Sequence, residues 1–207
     1  ALDYIREGLI GYYTGRGRSN TDENKNILPD LSGNGNDLEN KNFAYTPESG
    51  YGDGYIQYDG VDDFSSVVKA MTNLDFTILF TISDVELLTG NSWSGLIYGS
   101  SYYIGINMGI IFSSENRYLI NCYVYISNKG KEIFVVGCVN GGKENKVIGI
   151  TLGSINNSPI YACKQKIYDA LIYNRELTEE EIKHNYKASC QYNGEDIDGK
   201  AGENNEF

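Results

Sequence analysis

Few residues here could do catalytic chemistry once spacing is considered. Glycosidic hydrolysis needs two carboxyl groups about 5 to 10 Å apart across the scissile bond, and the nearest such pair on one strand is Asp84-Val85-Glu86. It lies at a strand end without a third acid, so a solvated edge explains it better. The single histidine, His184, falls on the helical face opposite Ile182 and Tyr186, where it meets neither a nucleophile nor a second imidazole. Cys122, Cys138, Cys163 and Cys190 contain no CxxC pair, which argues against a zinc knuckle or a dithiol redox motif. They read as buried thiols, with a Cys122–Cys138 bridge between neighbouring strands as the alternative. No residue is assigned a catalytic role, and the chain is expected not to be an enzyme.

Binding chemistry is better supplied. Calcium takes six to eight oxygens, which Asp-rich turns provide, so Asp59, Asp62, Asp63 and Asp169 are candidate metal ligands. The competing reading is that Asp59 and Asp63 cap turns and that Asp169 pairs with an arginine or lysine. Aromatic rings can stack on sugars. Trp93, in the polar stretch Asn91-Ser92-Trp93-Ser94, together with Tyr102, Tyr103 and Tyr118 forms the stacking set, although any one tyrosine can equally be core. Arg16 and Arg18 make a basic loop in an acidic chain, either a ligand contact or a solvated turn.

The elements that would position these residues are strands. Among 207 residues, 18 Tyr, 7 Phe and 24 Gly against 3 Pro describe strand formers and tight turns, and this length fits one all-β domain. A formal net charge of −11 repels phosphate backbones and anionic headgroups, so nucleic acid and membrane surfaces are disfavoured and neutral or cationic partners favoured. No apolar run approaches the ~20 residues of a membrane span. The sequence opens at Ala1 without the plan of a leader peptide, so a soluble domain is expected and its compartment stays open.

Residues 8–13 read as the opening strand, and residues 55–68 as a compact hairpin around Asp59-Gly60. Residues 75–83 alternate as a half-buried strand. Strands near 96–99, 103–106, 110–112, 118–126 and 132–139 suggest an antiparallel meander, followed by strands over 147–152 and 167–173. One helix begins after Thr178, with Glu181 in capping-box position. Residues 191–207 are acidic, rich in Gly and Asn, and read as a flexible tail or linker.

Three blocks carry a resemblance: Asp30-Leu31-Ser32-Gly33-Asn34-Gly35-Asn36-Asp37; Gln57-Tyr58-Asp59-Gly60-Val61-Asp62-Asp63-Phe64 with Asp75-Phe76-Thr77-Ile78; and Asp169 through Tyr173-Asn174-Arg175 to Leu177-Thr178 and Glu181-Ile182. In this order they resemble the laminin-G-like, concanavalin A-like jelly-roll family over roughly residues 8–190. Tyr118-Leu119-Ile120 stands where the family often has Trp-His, and Tyr168 where a second acid often precedes the closing motif. The resemblance implies an all-β, two-sheet antiparallel β-sandwich (jelly roll) with one short C-terminal helix over residues 1–190. It also implies a structural calcium, with Asp169 the first-choice ligand near the Asp59-Gly60 turn. The implied role is that of a non-enzymatic module binding a glycan or a protein within a larger extracellular, cell-surface or virion protein, bacteriophage structural proteins included. A self-assembling structural domain, forming homo-oligomers in a phage tail or surface layer, is the alternative, and a glycoside hydrolase the third reading.

Overall fold

The computed structural model describes residues 2–67, 77–86, 150–154 and 162–194 in full apart from the side chain at 85, and the backbone of strand segments at 71–73, 93–99, 102–107, 110–113, 124–126, 132–133, 145–147 and 201–202. In chain order the strands are β1 (Leu9–Thr14), β2 (Ile27–Leu28), β3 (Leu38–Lys41), β4 (Gly50–Tyr51), β5 (Ile56–Asp59), β6 (Phe64–Val67), β7 (Met71–Asn73), β8 (Thr77–Glu86), β9 (Trp93–Gly99), β10 (Tyr102–Asn107), β11 (Ile110–Ser113), β12 (Val124–Ile126), β13 (Glu132–Ile133), β14 (Asn145–Val147), β15 (Ile150–Leu152), β16 (Lys164–Tyr173) and β17 (Ala201–Gly202). A single helix, α1 (Glu179–Tyr192), follows β16.

The expected antiparallel sandwich is present. One sheet is organised on the ten-residue β16: β8 runs along one side of it, while β1 pairs with residues 169–173 and β5 with residues 164–167 on the other, β4 lying beyond β5. The second sheet has the order β11-β10-β9-β15-β6-β3-β2. Tyr13, Ile56, Tyr58, Ile78, Phe80, Ile82, Ala170 and Ile172 face inward and meet Leu28, Leu38, Ile150 and Leu152 of the second sheet. This inter-sheet layer is the main core.

A second core lies on the outer face of the β16 sheet. Tyr12, Leu79, Leu171 and Tyr173 alternate with the inward residues, as strand geometry requires, and pack under Tyr4, Leu9, Leu177, Ile182 and Tyr186. The cover is therefore the N-terminal segment together with α1. Thr178 caps α1 with the reciprocal bonds of a capping box, and Ile182 and Tyr186 point into the sheet as the periodicity predicts. β8 departs from its half-buried expectation: Thr77, Leu79 and Thr81 on its second face are also buried, because this lid covers them.

Further details differ from the sequence expectations. Residues 55–68 do not form a hairpin; β5 joins the β16 sheet and β6 joins the second sheet, so the turn between them is a corner that carries the chain across the core. A Tyr58 Oη···Ser65 Oγ hydrogen bond of 2.8 Å ties the two strands within it. Residues 147–152 divide into β14, which pairs with β7, and β15, which pairs with β6 and β9. The helix also runs past residue 190, and within the expected tail Ala201–Gly202 pairs with Val124 and Tyr125. Among the described residues no helix is long and apolar enough to cross a membrane.

The lid's contribution can be measured. Ile182 is fully buried in the outer core, so Ile182→Ala should lower the unfolding free energy by about 3 kcal/mol in urea. Exposed Lys183→Ala should change it by less than about 0.5 kcal/mol.

Candidate functional site

β16 carries Asp169 onto the outer face beneath the end of α1, where it is 1% exposed. An isolated carboxylate there would lose its hydration at high cost. Arg16, from the loop after β1, meets it with a two-pronged ion pair: Nη1 donates to Oδ2 at 2.8 Å and Nη2 to Oδ1. Tyr4 Oη donates to Oδ2 at 2.9 Å and Asn193 Nδ2 at 3.1 Å. Burial opposes the charge on Arg16, but the hydrogen bonds and attraction from Asp169 outweigh it and raise its pKa above the ordinary value. Burial, then the Asp169 charge, raises the Tyr4 and Tyr12 phenols, so both stay protonated, Tyr4 donating to Asp169 and Tyr12 accepting from Arg16.

The remaining terminal donors of Arg16 go to Asn193 Oδ1 at 3.2 Å and Tyr12 Oη at 2.8 Å. All four N–H groups on its terminal nitrogens are thereby used inside the molecule. Arg18 donates to the carbonyls of Asn24 and Ile27 at 2.7 and 2.9 Å and lies over the Tyr51 ring. Both guanidinium groups of the basic loop, expected as either a ligand contact or a solvated turn, are thus engaged within the fold.

The predicted metal ligands separate into two places. Asp59, Asp62 and Asp63 bring carboxylate oxygens within 4.8 Å of one another. Asp59 pairs with Lys164 in the sheet, five positions along β16 from Asp169, a separation of about 16 Å at strand rise. The arrangement that unites Asp169 with the Asp59-Gly60 turn is thus absent, and the cation on Asp169 is an arginine.

Within the acidic turn, Asp59 Oδ1 accepts the backbone N–H groups of Val61 at 2.7 Å, Asp62 at 3.2 Å and Asp63 at 3.4 Å. Gly60 has φ +77°, and a Cβ there would fall 2.7 Å from Lys164 N, so only glycine closes this corner without strain. Asp63 is fully buried and accepts Ser49 Oγ at 3.1 Å and Asp59 N at 2.9 Å. Burial pushes its pKa up to about 7; those two hydrogen bonds oppose the rise, and the charges of Asp59 and Asp62 add to it.

Of the stacking set, only the backbones of Trp93, Tyr102 and Tyr103 are described. In the β9–β10 pair Trp93 stands opposite Asn107 and Tyr102 opposite Gly99, with Tyr103 opposite Tyr98, so Trp93 and the two tyrosines occupy opposite ends. The side chains of Trp93, Tyr102 and Tyr103, and Tyr118 entirely, lie outside the described residues, as do Cys122 and Cys138. Cys163 and Cys190 are buried and not bridged, and burial pushes the Cys163 thiol up to about 12.

Among the described residues a cleft of about 340 Å³ is lined by Arg16, Gly17, Asp53, Gly54, Tyr168, Tyr192 and Asn193. It opens where α1 ends and the outer face of the β16 sheet is no longer covered. Tyr192 forms one wall, 38% exposed, with the Arg16 guanidinium 4.6 Å from its ring centroid. Tyr55 packs edge-on against Tyr168 at 5.5 Å, and Lys166 Nζ sits 4.9 Å above the Tyr55 ring while bonded to Asp84 at 2.8 Å. Asp53 is exposed and has no hydrogen-bond or ion-pair partner among the described residues. The sequence reading missed Asp53, Tyr192 and Asn193; only the glycine-dense turn around Asp53 carried a local signal.

No protein-family model matches the chain, and no curated protein matches it. Among solved structures it resembles Trypanosoma rangeli sialidase: with the inhibitor DANA, TM-score 0.53 at 14% identity over 92% of this chain and 33% of that one; with sialic acid, 0.52 at 14% over 89% and 33%; and the sialidase alone, 0.52 at 14% over 90% and 33%. The chain spans about a third of the sialidase's length, and the likeness is one of fold.

Two measurements follow from the site's electrostatics. Arg16→Ala and Asp169→Ala should each cost about 3 kcal/mol, because each strands a partner beneath the lid, while the double variant should cost clearly less than their sum. In calcium-free buffer with EDTA, the raised pKa of Asp63 means the folded state binds its proton more tightly than the unfolded state. Its contribution to stability is therefore full below about pH 4 and is lost as pH rises towards 7. Asp63→Asn should flatten that slope in urea titrations, by on the order of 2 kcal/mol.

Proposed function

We propose that the chain is a non-enzymatic, lectin-like recognition module of laminin-G-like type, holding a carbohydrate or protein partner on one face of its sandwich as part of a larger surface or virion protein. The observation that carries this reading is the cleft at the end of α1, where Tyr168 and Tyr192 line a recess beside a carboxylate that has no partner among the described residues. A recess that joins aromatic side chains to polar groups able to fix a ligand's orientation is a feature of small-ligand sites. The sialidase structures, one titled as a complex with sialic acid, share the fold and lend the carbohydrate reading its direction.

The disposition of acids supports binding over turnover. Among the described residues Asp169 is held by Arg16, Asp84 by Lys166, Glu86 by Lys164 and Glu181 by Arg175. Asp63, the described carboxyl raised to about 7 and so able to carry a proton near neutrality, is fully buried behind Ser49.

Calcium is proposed at the acidic turn rather than at Asp169. Asp59, Asp62 and Asp63 would supply three of the six to eight oxygens the ion takes, and their mutual repulsion would be relieved by it. The ion's role would be to hold the corner between the sheets.

Thermal unfolding across a glycan library, with calcium and with EDTA, tests both parts. A ligand at a hundredfold excess over its Kd should add about 2.7 kcal/mol to stability. Asp53→Ala should weaken a glycan shift about tenfold in affinity while leaving unliganded stability within about 0.5 kcal/mol. A calcium shift should vanish in Asp62→Ala. Silence across the library, together with a stable oligomer in solution, would replace the recognition reading with an assembly domain.

A further inference from the structure

We infer that the cleft at the end of α1 takes glycans free of acidic groups and rejects those bearing carboxylate, sulfate or phosphate. This rests on the recognition reading above and adds the chemical class of its ligand.

The argument is an inventory of charge around the recess. Anionic ligands are ordinarily met by an arginine or lysine with unused donors. Arg16, the cation in the lining, has both terminal nitrogens saturated by Asp169, Asn193 and Tyr12, and its charge is matched by a buried carboxylate. Lys166, beside Tyr55, is paired with Asp84. The unpartnered charge in the lining is that of Asp53, and it is negative.

The helix end adds to the same sign. Tyr192 and Asn193, which line the cleft, are the last residue of α1 and its C-cap, and the last turn contains no basic residue. A helix C-terminus carries partial negative charge on its terminal carbonyls; Asn193 Nδ2 donates to the Ser189 carbonyl at 2.9 Å, but the last turn holds no cation of its own. The chain as a whole carries −11, so the long-range field opposes an approaching anion as well. An uncharged sugar ring meets a different surface: its hydroxyls can donate to the Asp53 carboxylate, and its apolar face can lie against exposed Tyr192.

One like charge several ångströms from Asp53 at the surface is worth about 1 kcal/mol, or roughly a fivefold change in affinity, and salt screens it. The experiment is a printed glycan array containing pairs matched except for one carboxylate or sulfate, probed with the full chain in low salt and in ~1 M NaCl. The uncharged member of each bound pair should bind at least about fivefold more tightly, and both high salt and Asp53→Asn should narrow the gap. Acidic members binding as well as their uncharged partners, or a gap indifferent to Asp53→Asn, would overturn the inference while leaving recognition itself standing. An array silent for every glycan would remove this inference together with the carbohydrate half of the recognition reading, leaving a protein partner or an assembly role.

Discussion

Burial of β16 on both faces is the constraint on which the rest of the molecule depends. A strand at the centre of an antiparallel sheet usually needs cover on one side only, the other meeting water. Here the inward residues Ile167, Ala170 and Ile172 fill the space between the sheets while Leu171 and Tyr173 face outward into apolar surroundings. Something must cover them. The N-terminal segment and α1 do so together, joined to each other by Ile5 N donating to Asn185 Oδ1, while Tyr173 Oη of β16 donates to the Ile5 carbonyl. Because the cover also encloses Asp169, a counter-charge had to arrive from within the chain, and Arg16 supplies it. That ion pair locks the N-terminal segment through Tyr4, the helix end through Asn193 and the loop after β1 at one point.

Seen from this constraint, the three sequence blocks that resemble a known family are structural devices. Asp30 accepts the backbone N–H groups of Tyr12, Ser32 and Asn36, and the Asn34 and Asn36 amides donate to the carbonyls of Leu9 and Ile10. The glycine-asparagine loop thus satisfies the outer edge of β1, which would otherwise offer unpaired backbone groups for aggregation. The Asp59–Asp63 turn moves the chain between sheets. At the end of β16, Arg175 grips both oxygens of Glu181 and donates to the Glu7 carbonyl, while Thr77 Oγ1 accepts Leu177 N, which sets the angle at which the lid descends. Such motifs report the fold and leave function to the surfaces between them.

This explains what could be read from residues alone. Period-two alternation placed Ile78, Phe80 and Ile82 on one face, and the capping box placed the helix start, because both signals are local. Alternation does not name the sheet a strand joins, so residues 55–68 read as a hairpin although β5 and β6 part at the Asp59–Asp63 corner. Nor does it reveal a second layer of cover, which is why Thr77, Leu79 and Thr81 read as half-exposed. The Arg16–Asp169 pair spans 153 positions, and no local pattern distinguishes its arginine from one waiting for a ligand. Trp93 and Tyr102 share a composition that suits stacking, but register separates them, and register depends on pairings that periodicity leaves open.

The cleft inherits its rigidity from the same pair. Its Arg16 and Asn193 are fixed by bonds made during folding, and Tyr192 is held by the guanidinium against its ring and by its hydroxyl donating to Asp3 at 2.7 Å. Side chains already ordered need not be ordered again when a ligand arrives, and that ordering otherwise costs about 0.5 to 1.5 kcal/mol for each group. Asp53, in contrast, stands on a glycine-flanked turn with its carboxylate in solvent. Rigid walls with one uncommitted polar group place discrimination on the loop and stability on the scaffold. Substitutions in the residue 52–54 turn can therefore retune what the cleft accepts while the lid, the buried ion pair and the corner between the sheets stay intact.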